Sequence, residues 1–362
     1  MADKTFRIGV IGCGGIANGK HLPALSKLDN VEIVYFCDII RERAQKAKAD
    51  YGTDAAIVTE DYHDVINDKT IDAVHVLTPN RMHSEISCAA MECGKHVLCE
   101  KPMAINAAEA KKMLDTSKKT GMTLYIGYQN RYTPASQYVK KEALAGFFGD
   151  VYFARAYAVR RRAVPTWGVF LNEYEQGGGP LIDIGTHALD LTLWTMDNYK
   201  PKYCVGTTYH KLNNDVNTGN AWGDWDPKKF TVEDSAFGFI VMQNGATITL
   251  ESSWALNTHE SCEAKFALCG TKGGCDMRGG PLVLNEIRNG VQVNTYPQLD
   301  AKGVAFYDGI KSNPGDLESK MFYKALADGS EQLVLPEQAF VVSQILDGIY
   351  TSAKTGKPVY FE

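Results

Sequence analysis

The sequence predicts α/β followed by α+β: a doubly wound parallel sheet over residues 1–128, then a domain built on a large open, mainly antiparallel sheet over residues 129–362. Three observations carry that prediction. Apolar runs of strand length alternate with helical stretches through the first part, and a glycine cluster directly follows the first run. Beyond residue 129 the strand-like runs come in pairs separated by Asn-Gly turns. A chain of 362 residues also exceeds what one ordinary core organises, so two domains are expected on length alone.

The first strand, 6–11, runs straight into Gly12-Cys13-Gly14-Gly15-Ile16-Ala17 and a helical segment, and a second strand, 31–38, ends in Asp38. That context gives the glycines meaning. Gly12 permits a tight turn, Gly14 and Gly15 let backbone approach a pyrophosphate, Ile16 opens the helix whose N–H groups face it, and Ala17 suits close helix–strand packing. Asp38 can accept from both hydroxyls of an adenosine ribose and repels a 2′-phosphate, which favours NAD over NADP; Arg41 and Arg43 nearby leave NADP open. Asp38 also suits the cap of the helix that follows.

The alternation continues with a helix after Asp61-Tyr62, a strand over 71–80, a helix over 82–93 stopped by Gly94, and a strand over 95–99 that delivers Glu100-Lys101-Pro102. A helix over 107–120 and a strand over 123–128 complete the sheet. Ligands of such sheets lie beyond the carboxyl ends of the strands, and Asn80, Glu100, Lys101 and Gln129 all fall just after strand ends. Pro102 biases Lys101 toward extended backbone and restrains where its ammonium points.

In the second half, 150–160 reads as a long strand, 235–242 with 246–254 as a hairpin around Asn244-Gly245, and 282–288 with 291–296 as another around Asn289-Gly290. One apolar helix over 180–194 interrupts them. Pro180 opens it, and Gly177-Gly178-Gly179 would let backbone pass close to a ligand. Asp183, His187 and Asp190 recur at i, i+4 and i+7 on an otherwise apolar surface, so this stripe is either paired in a core or open to a cleft. His187, with an ordinary pKa of about 6.5, can take and return a proton near neutrality. Asp183 can orient it or meet substrate hydroxyls, and Asp190 reads as structural. Arg160, Arg162 and Trp167 lie in a loop before this helix and can grip a polyhydroxylated ring or an anionic group; residues 216–229 form a second candidate rim. A helix over 336–354 is expected to return across the domain junction.

Composition narrows the partners. A net charge of -5 offers no basic field to nucleic acid or an anionic membrane, and no apolar run approaches the about 20 residues of a membrane span. The chain opens on a strand without a signal-peptide core, so a cytoplasmic protein with a small-molecule ligand is expected. The nine cysteines show no Cys-x-x-Cys pair, which suggests reduced thiols and no metal site; Cys13 reads as a packing residue beside the loop.

Taken in order along the chain, these pieces resemble the Gfo/Idh/MocA oxidoreductases. The likeness runs through the glycine loop with His21-Leu22-Pro23-Ala24-Leu25, Thr78-Pro79-Asn80 with His83, Glu100-Lys101-Pro102, Gly179 to Asp183 with His187 and Asp190, Val232-Glu233-Asp234, and Gly356 to Val359. It implies a Rossmann domain that binds NAD, with tight binding of the cofactor and its release between turnovers both open, and a second domain whose open sheet serves homo-oligomer formation. It implies a Lys-Asp-His catalytic set of Lys101, Asp183 and His187, which also contact substrate, with Thr78, Asn80 and His83 on the cofactor side. The implied reaction is hydride transfer between NAD and a secondary alcohol of a sugar, polyol or glycoside, and the arginine–tryptophan loop is similar to that of enzymes oxidising C3 of a glucosyl unit. Two other functions stay open: an NAD-dependent glycosidase working by transient C3 oxidation and elimination, and a non-catalytic NAD or sugar sensor.

Overall fold

The computed structural model describes residues 4–215, 218–299 and 313–361; Val216 and Asn217, at the start of the 216–229 rim, lie outside the described residues. The chain divides into two compact units, Met1–Tyr132 with Ser312–Phe340 and Thr133–Lys311 with Val341–Glu362.

The first unit holds six strands, β1 (Phe6–Ile11), β2 (Val31–Cys37), β3 (Ile57–Thr59), β4 (Ala73–Val76), β5 (His96–Cys99) and β6 (Leu124–Ile126), in the order β3-β2-β1-β4-β5-β6. Every pairing is parallel. Parallel strands covered on both faces read as unbroken apolar runs, and Ile8, Val10, Val74, Val97 and Leu98 are fully buried. The five strands expected in this half are present; β3 is too short to show a pattern in sequence. The helix Ala107–Thr120 has the expected bounds because both ends are capped: Asn106 Oδ1 accepts from Glu109 N at 2.9 Å, and Gly121 closes it at φ +71°.

A helix absent from the sequence reading, Pro314–Asp328, packs on this same unit. Its Pro-Gly start looks like a turn, yet Pro314 takes the first helical position and Asn313 Oδ1 accepts from Gly315 N at 3.0 Å. Phe322 and Tyr323 are buried, with Tyr323 5.5 Å from Phe6 and Phe322 5.8 Å from Tyr125 between ring centroids. The expected boundary gave everything after residue 128 to the second domain; this helix belongs with the first, since its aromatic face is buried there.

The second unit is a nine-stranded sheet. Its strands are β7 (Val151–Val159), β8 (Pro201–Tyr209), β9 (Ser235–Met242), β10 (Thr247–Ser253), β11 (Cys262–Gly270), β12 (Gly273–Asp276), β13 (Val283–Arg288), β14 (Val291–Thr295) and β15 (Val359–Tyr360), ordered β14-β13-β12-β11-β7-β10-β9-β8-β15. Only β7 with β10 is parallel. Both expected hairpins are there, and Asn289 and Gly290, at φ 53° and 78°, give the β13–β14 turn the positive φ pair that matches strand twist. Ala154, Ala156 and Ala158 on β7 are fully buried where the helix Thr186–Met196 covers the sheet. Farther along, Gly206 and Gly238 face each other across β8 and β9, and Ile349 of the helix Pro336–Thr355 sits over them: a Cβ at either glycine would come within 2.6 or 2.5 Å of it. No helix among the described residues is long and apolar enough to cross a membrane.

Candidate active site

Because the strands of the first unit run parallel, their carboxyl ends share one edge, and Gly12, Asp38, Thr78, Glu100 and Gln129 each follow one of them. The strand order turns back between β1 and β4, the switch point at which such sheets bind ligands. The two loops meet there. Gly12 has φ +96°, and a Cβ on it would lie 2.6 Å from the Leu77 carbonyl oxygen, so both conformation and space demand glycine. A Cβ on Gly14 or Gly15 would instead meet no atom within 4 Å, and this open ground above a helix start is what a pyrophosphate requires. Ile16, at that start, is exposed.

Asp38 is pinned beside the loop, Oδ2 accepting from Cys13 N at 2.9 Å and Oδ1 from Ile40 N at 2.8 Å, with lone pairs left for ribose hydroxyls. It does not cap the next helix, where Ile40 takes the cap position. Ile39 and Ile40 are exposed on the same turn and offer apolar surface of the kind an adenine ring covers. The loop, the acid and this surface fit NAD. Burial, with the Asp38 charge adding to it, pushes the Cys13 thiol up to about 12, so it is protonated at neutral pH and packs as a small apolar group.

Lys101 stands two residues past β5 and is partly exposed, joined to Pro102 by a cis peptide. Its backbone N–H donates to Glu100 Oε2 at 3.0 Å. Glu100 itself is buried in an ion cluster that the sequence reading missed. Lys20 Nζ lies 2.7 Å from Glu100 Oε1 and 2.7 Å from Glu318 Oε2, and His21 Nε2 is 2.8 Å from Glu100 Oε1. A Cβ on Gly127 would touch the Glu100 carboxyl at 3.3 Å, so the glycine makes room for it. Burial works against every charge here, but Lys20 and His21 hold Glu100 well below the usual carboxylate range, whereas burial pushes Glu318 up to about 7. The carboxylates hold Lys20 above the ordinary lysine value against its own burial. His21, Glu100 and Glu318 have ligand atoms within 4.8 Å of one another, the spacing of a cation site, and the Lys20 ammonium already supplies the positive charge.

Burial and the Lys20 charge lower His21, and burial with His21 lowers His75 well below its ordinary value, so both rings are neutral near pH 7. The contacts then run one way: Tyr323 OH donates to His75 Nε2 at 2.7 Å, His75 Nδ1 to His21 Nδ1 at 3.3 Å, and His21 Nε2 to Glu100. Glu100 is thus committed to the protein's own groups, not to a cofactor. His83 also departs from expectation. It is fully buried, its ring nitrogens 2.8 Å from Pro102 O and 3.0 Å from Thr78 O, and it ties the Thr78 and Lys101 loops together from beneath. Thr78, Asn80 and Gln129 are partly exposed along the edge above.

In the second unit Asp183 and His187 rise from one helix, but its first turn, Leu181–Gly185, is a wide π turn before the α-helix Thr186–Met196. The regular helical spacing assumed for the stripe therefore holds only from Thr186 onward. Asp183 is half-buried, His187 buried and Asp190 almost completely so. Asp183 Oδ2 accepts from Trp254 Nε1 at 3.1 Å, and Trp254 is itself fully buried just past β10. The helix start is clamped by Glu233, whose Oε2 accepts from Gly179 N at 2.8 Å and whose Oε1 accepts from Leu181 N at 3.1 Å and Tyr350 OH at 2.8 Å. A Cβ on Gly178 would sit 2.0 Å from Tyr350 Oη and one on Gly179 2.2 Å from Glu233 O. At these two positions the glycine run serves close packing against the chain itself, where ligand approach was expected. Burial pushes the Glu233 carboxyl up to about 7.

The two predicted substrate arginines are engaged within this unit. Arg160 Nε and Nη2 donate to Glu263 at 2.6 and 2.9 Å, and Arg162 pairs with Asp215 at 3.6 Å and Asn257 at 3.3 Å. Trp167 is the member of that loop whose ring meets solvent. Trp254 and Glu233 carried signals in sequence, an indole N–H that needs a partner and an acid in a paired-strand region, but neither signal names the partner.

Two family models match the chain: the oxidoreductase family with an NAD-binding Rossmann fold over residues 6–128, and the GFO/IDH/MocA C-terminal domain over residues 136–276. The D-glucoside 3-dehydrogenase of Escherichia coli (strain K12) is 32% identical over 360 residues, 99% of this chain and 98% of that one. The glucose-6-phosphate 3-dehydrogenase of Bacillus subtilis (strain 168) is 29% identical over 274 residues, 74% and 72% of the two chains. Among solved structures, levoglucosan dehydrogenase in complex with NADH and levoglucosan shares the fold, with a TM-score of 0.81 over 99% of both chains at 22% identity. With both halves matched and a relative similar from end to end, the chain belongs to the Gfo/Idh/MocA family of NAD-dependent oxidoreductases.

Proposed function

We propose that this oxidoreductase transfers hydride between NAD and a secondary alcohol of a sugar or glycoside, at C3 of a glucosyl unit. The observation that carries the reading is Lys101 at the carboxyl end of β5, on the edge where the glycine loop leaves open space, in a chain similar along its length to a D-glucoside 3-dehydrogenase. Gly12, Gly14, Gly15 and Asp38 would hold the dinucleotide, which supplies the hydride acceptor. His187 takes the hydroxyl proton as the carbinol becomes a ketone. The Lys101 ammonium suits stabilising negative charge that grows on a carbinol oxygen. Asp183, fixed by Trp254, accepts a neighbouring hydroxyl or steadies His187. The half-exposed Phe239 on the open sheet face suits contact with a further copy, and nine free thiols suit the cytoplasm.

The test is a panel of methyl and aryl glucosides, myo-inositol and glucose 6-phosphate incubated with protein and NAD, with NADH and keto products both followed. Lys101→Ala and His187→Ala should each lower turnover by about 10²–10⁴-fold while NAD affinity moves only a few-fold. Wild-type turnover in either variant would remove that residue from the mechanism. Aglycone released without net NADH would redirect the reading to the oxidation–elimination route.

A further inference from the structure

Beside the part of the second unit that carries Asp183 stand two loops whose tryptophans the reaction leaves unused. Trp254, the donor to Asp183, accepts at its backbone oxygen from Ala163 N at 2.9 Å. From Ala163 the chain reaches Trp167 in four residues, at most about 14 Å of extended backbone. This stretch is laced to the second loop: Val164 N donates to Asn220 Oδ1 at 2.8 Å, Asn220 Nδ2 donates to Val164 O at 3.0 Å, and Thr166 Oγ1 donates to Trp222 O at 2.6 Å. The Arg160 guanidinium, held by Glu263, lies 5.2 Å from the Trp222 ring centroid. Trp167 meets Trp222 edge-on at 4.8 Å.

For all that support, the indoles stay 50% and 44% exposed. Next to them a cleft of about 500 Å³ opens, with Trp167 and Trp225 on its walls together with the carboxylates of Asp224 and Asp226. Its size falls within that of small-molecule sites. Rigid, solvent-facing indoles favour a ring with an apolar face, and adjacent carboxylates accept from hydroxyls.

We propose that this shelf and cleft form a subsite for the ring attached to the oxidised sugar, an aryl group or a second pyranose, so that the protein takes glycosides in preference to free monosaccharides. The inference rests on Asp183 and His187 being reaction-side residues. It explains why Arg160, which could have gripped substrate, is spent between Glu263 and the Trp222 ring.

Binding of phenyl β-D-glucopyranoside, cellobiose and methyl β-D-glucopyranoside to the NAD-loaded protein is measured by calorimetry, and kcat/KM for each is measured separately. The expected result is phenyl glucoside or cellobiose bound about 5- to 10-fold more tightly than methyl glucoside, with that ratio collapsing toward unity in Trp167→Ala and Trp222→Ala and recovering in Trp167→Phe. Which of the two tighter probes depends on the indoles separates an aryl from a pyranose occupant. Equal binding of all three probes, no binding of any, or a ratio indifferent to both alanine variants overturns the subsite, as does a change of oligomeric mass in the variants with the ratio intact. Indole-dependent binding without oxidation of any glucoside would keep the subsite and refute the dehydrogenase reading, so the two failures are separable.

Discussion

Lys20→Met tests the buried cluster beneath Lys101, because it keeps the stem and removes only the ammonium. The side chains of Lys20, Glu100 and Glu318 are 7%, 7% and 0% exposed, so no water replaces the lost charge. Removing one partner of a buried ion pair costs about 3–5 kcal/mol. The sign with pH follows from the two carboxyls. In the wild type Glu100 is held well below 4.5 and stabilises the fold above that pH, a contribution lost on acidification; Glu318, raised to about 7, favours the fold at low pH and loses that contribution as pH rises through 7. Without the ammonium both carboxyls are driven up, so the variant's deficit should reach about 3–5 kcal/mol at pH 8 and shrink by roughly half at pH 5, where both take protons. Urea unfolding followed by far-UV circular dichroism measures it. All five tryptophans lie in the second unit, so indole fluorescence read in parallel reports that unit alone. A deficit below about 1 kcal/mol, or one equal at both pH values, would show that the cluster is solvated and the argument wrong.

Gly12→Ala and Gly14→Ala should part company: the first adds about 1–2 kcal/mol of backbone strain plus a clash with the Leu77 carbonyl and lowers thermal stability, while the second folds normally and loses NAD affinity about tenfold or more. Identical stability and NAD titrations for the two would refute the division of labour between turn and cradle. Glu233→Gln removes a carboxyl raised from 4.5 to about 7, whose stabilising contribution is complete below 4.5 and lost as pH rises through 7. Fluorescence-monitored unfolding at pH 5 and pH 8 should therefore show the wild type losing up to about 3 kcal/mol more than the variant over that interval; parallel profiles count against it. Brief alkylation at pH 7.5 should label the exposed Cys93 and Cys269 first, since burial pushes Cys13, Cys37, Cys204 and Cys275 up to about 12. Early label on Cys13 in a peptide map would show that its loop opens.

What was legible in the sequence was whatever chain order and local periodicity record. The alternation of strands and helices, the Asn-Gly hairpins and the helix over 107–120 are local, and the structure repeats them in order, that helix with the same bounds. The helix Pro314–Asp328 was hidden because its opening mimics a turn and its partners, Phe6 and Tyr125, lie roughly two to three hundred residues earlier. The same limit applied to chemistry. Lys101 and His187 could be picked out because their neighbours in sequence made them odd, a lysine before proline at a strand end and a histidine on an apolar helix. Lys20 could not, because a lysine beside a glycine loop looks solvated until Glu318 arrives from the far end of the chain to meet it at 2.7 Å. The sequence did hold one clue, His75 in the middle of an apolar strand, since a polar ring at such a position must find partners among other buried groups. That constraint runs from His75 to His21 and Glu100, and from Glu100 to the backbone of Lys101. A candidate reactive lysine is thus held by a polar core assembled from both ends of the chain, which is why a motif of three residues could mark the place without explaining it.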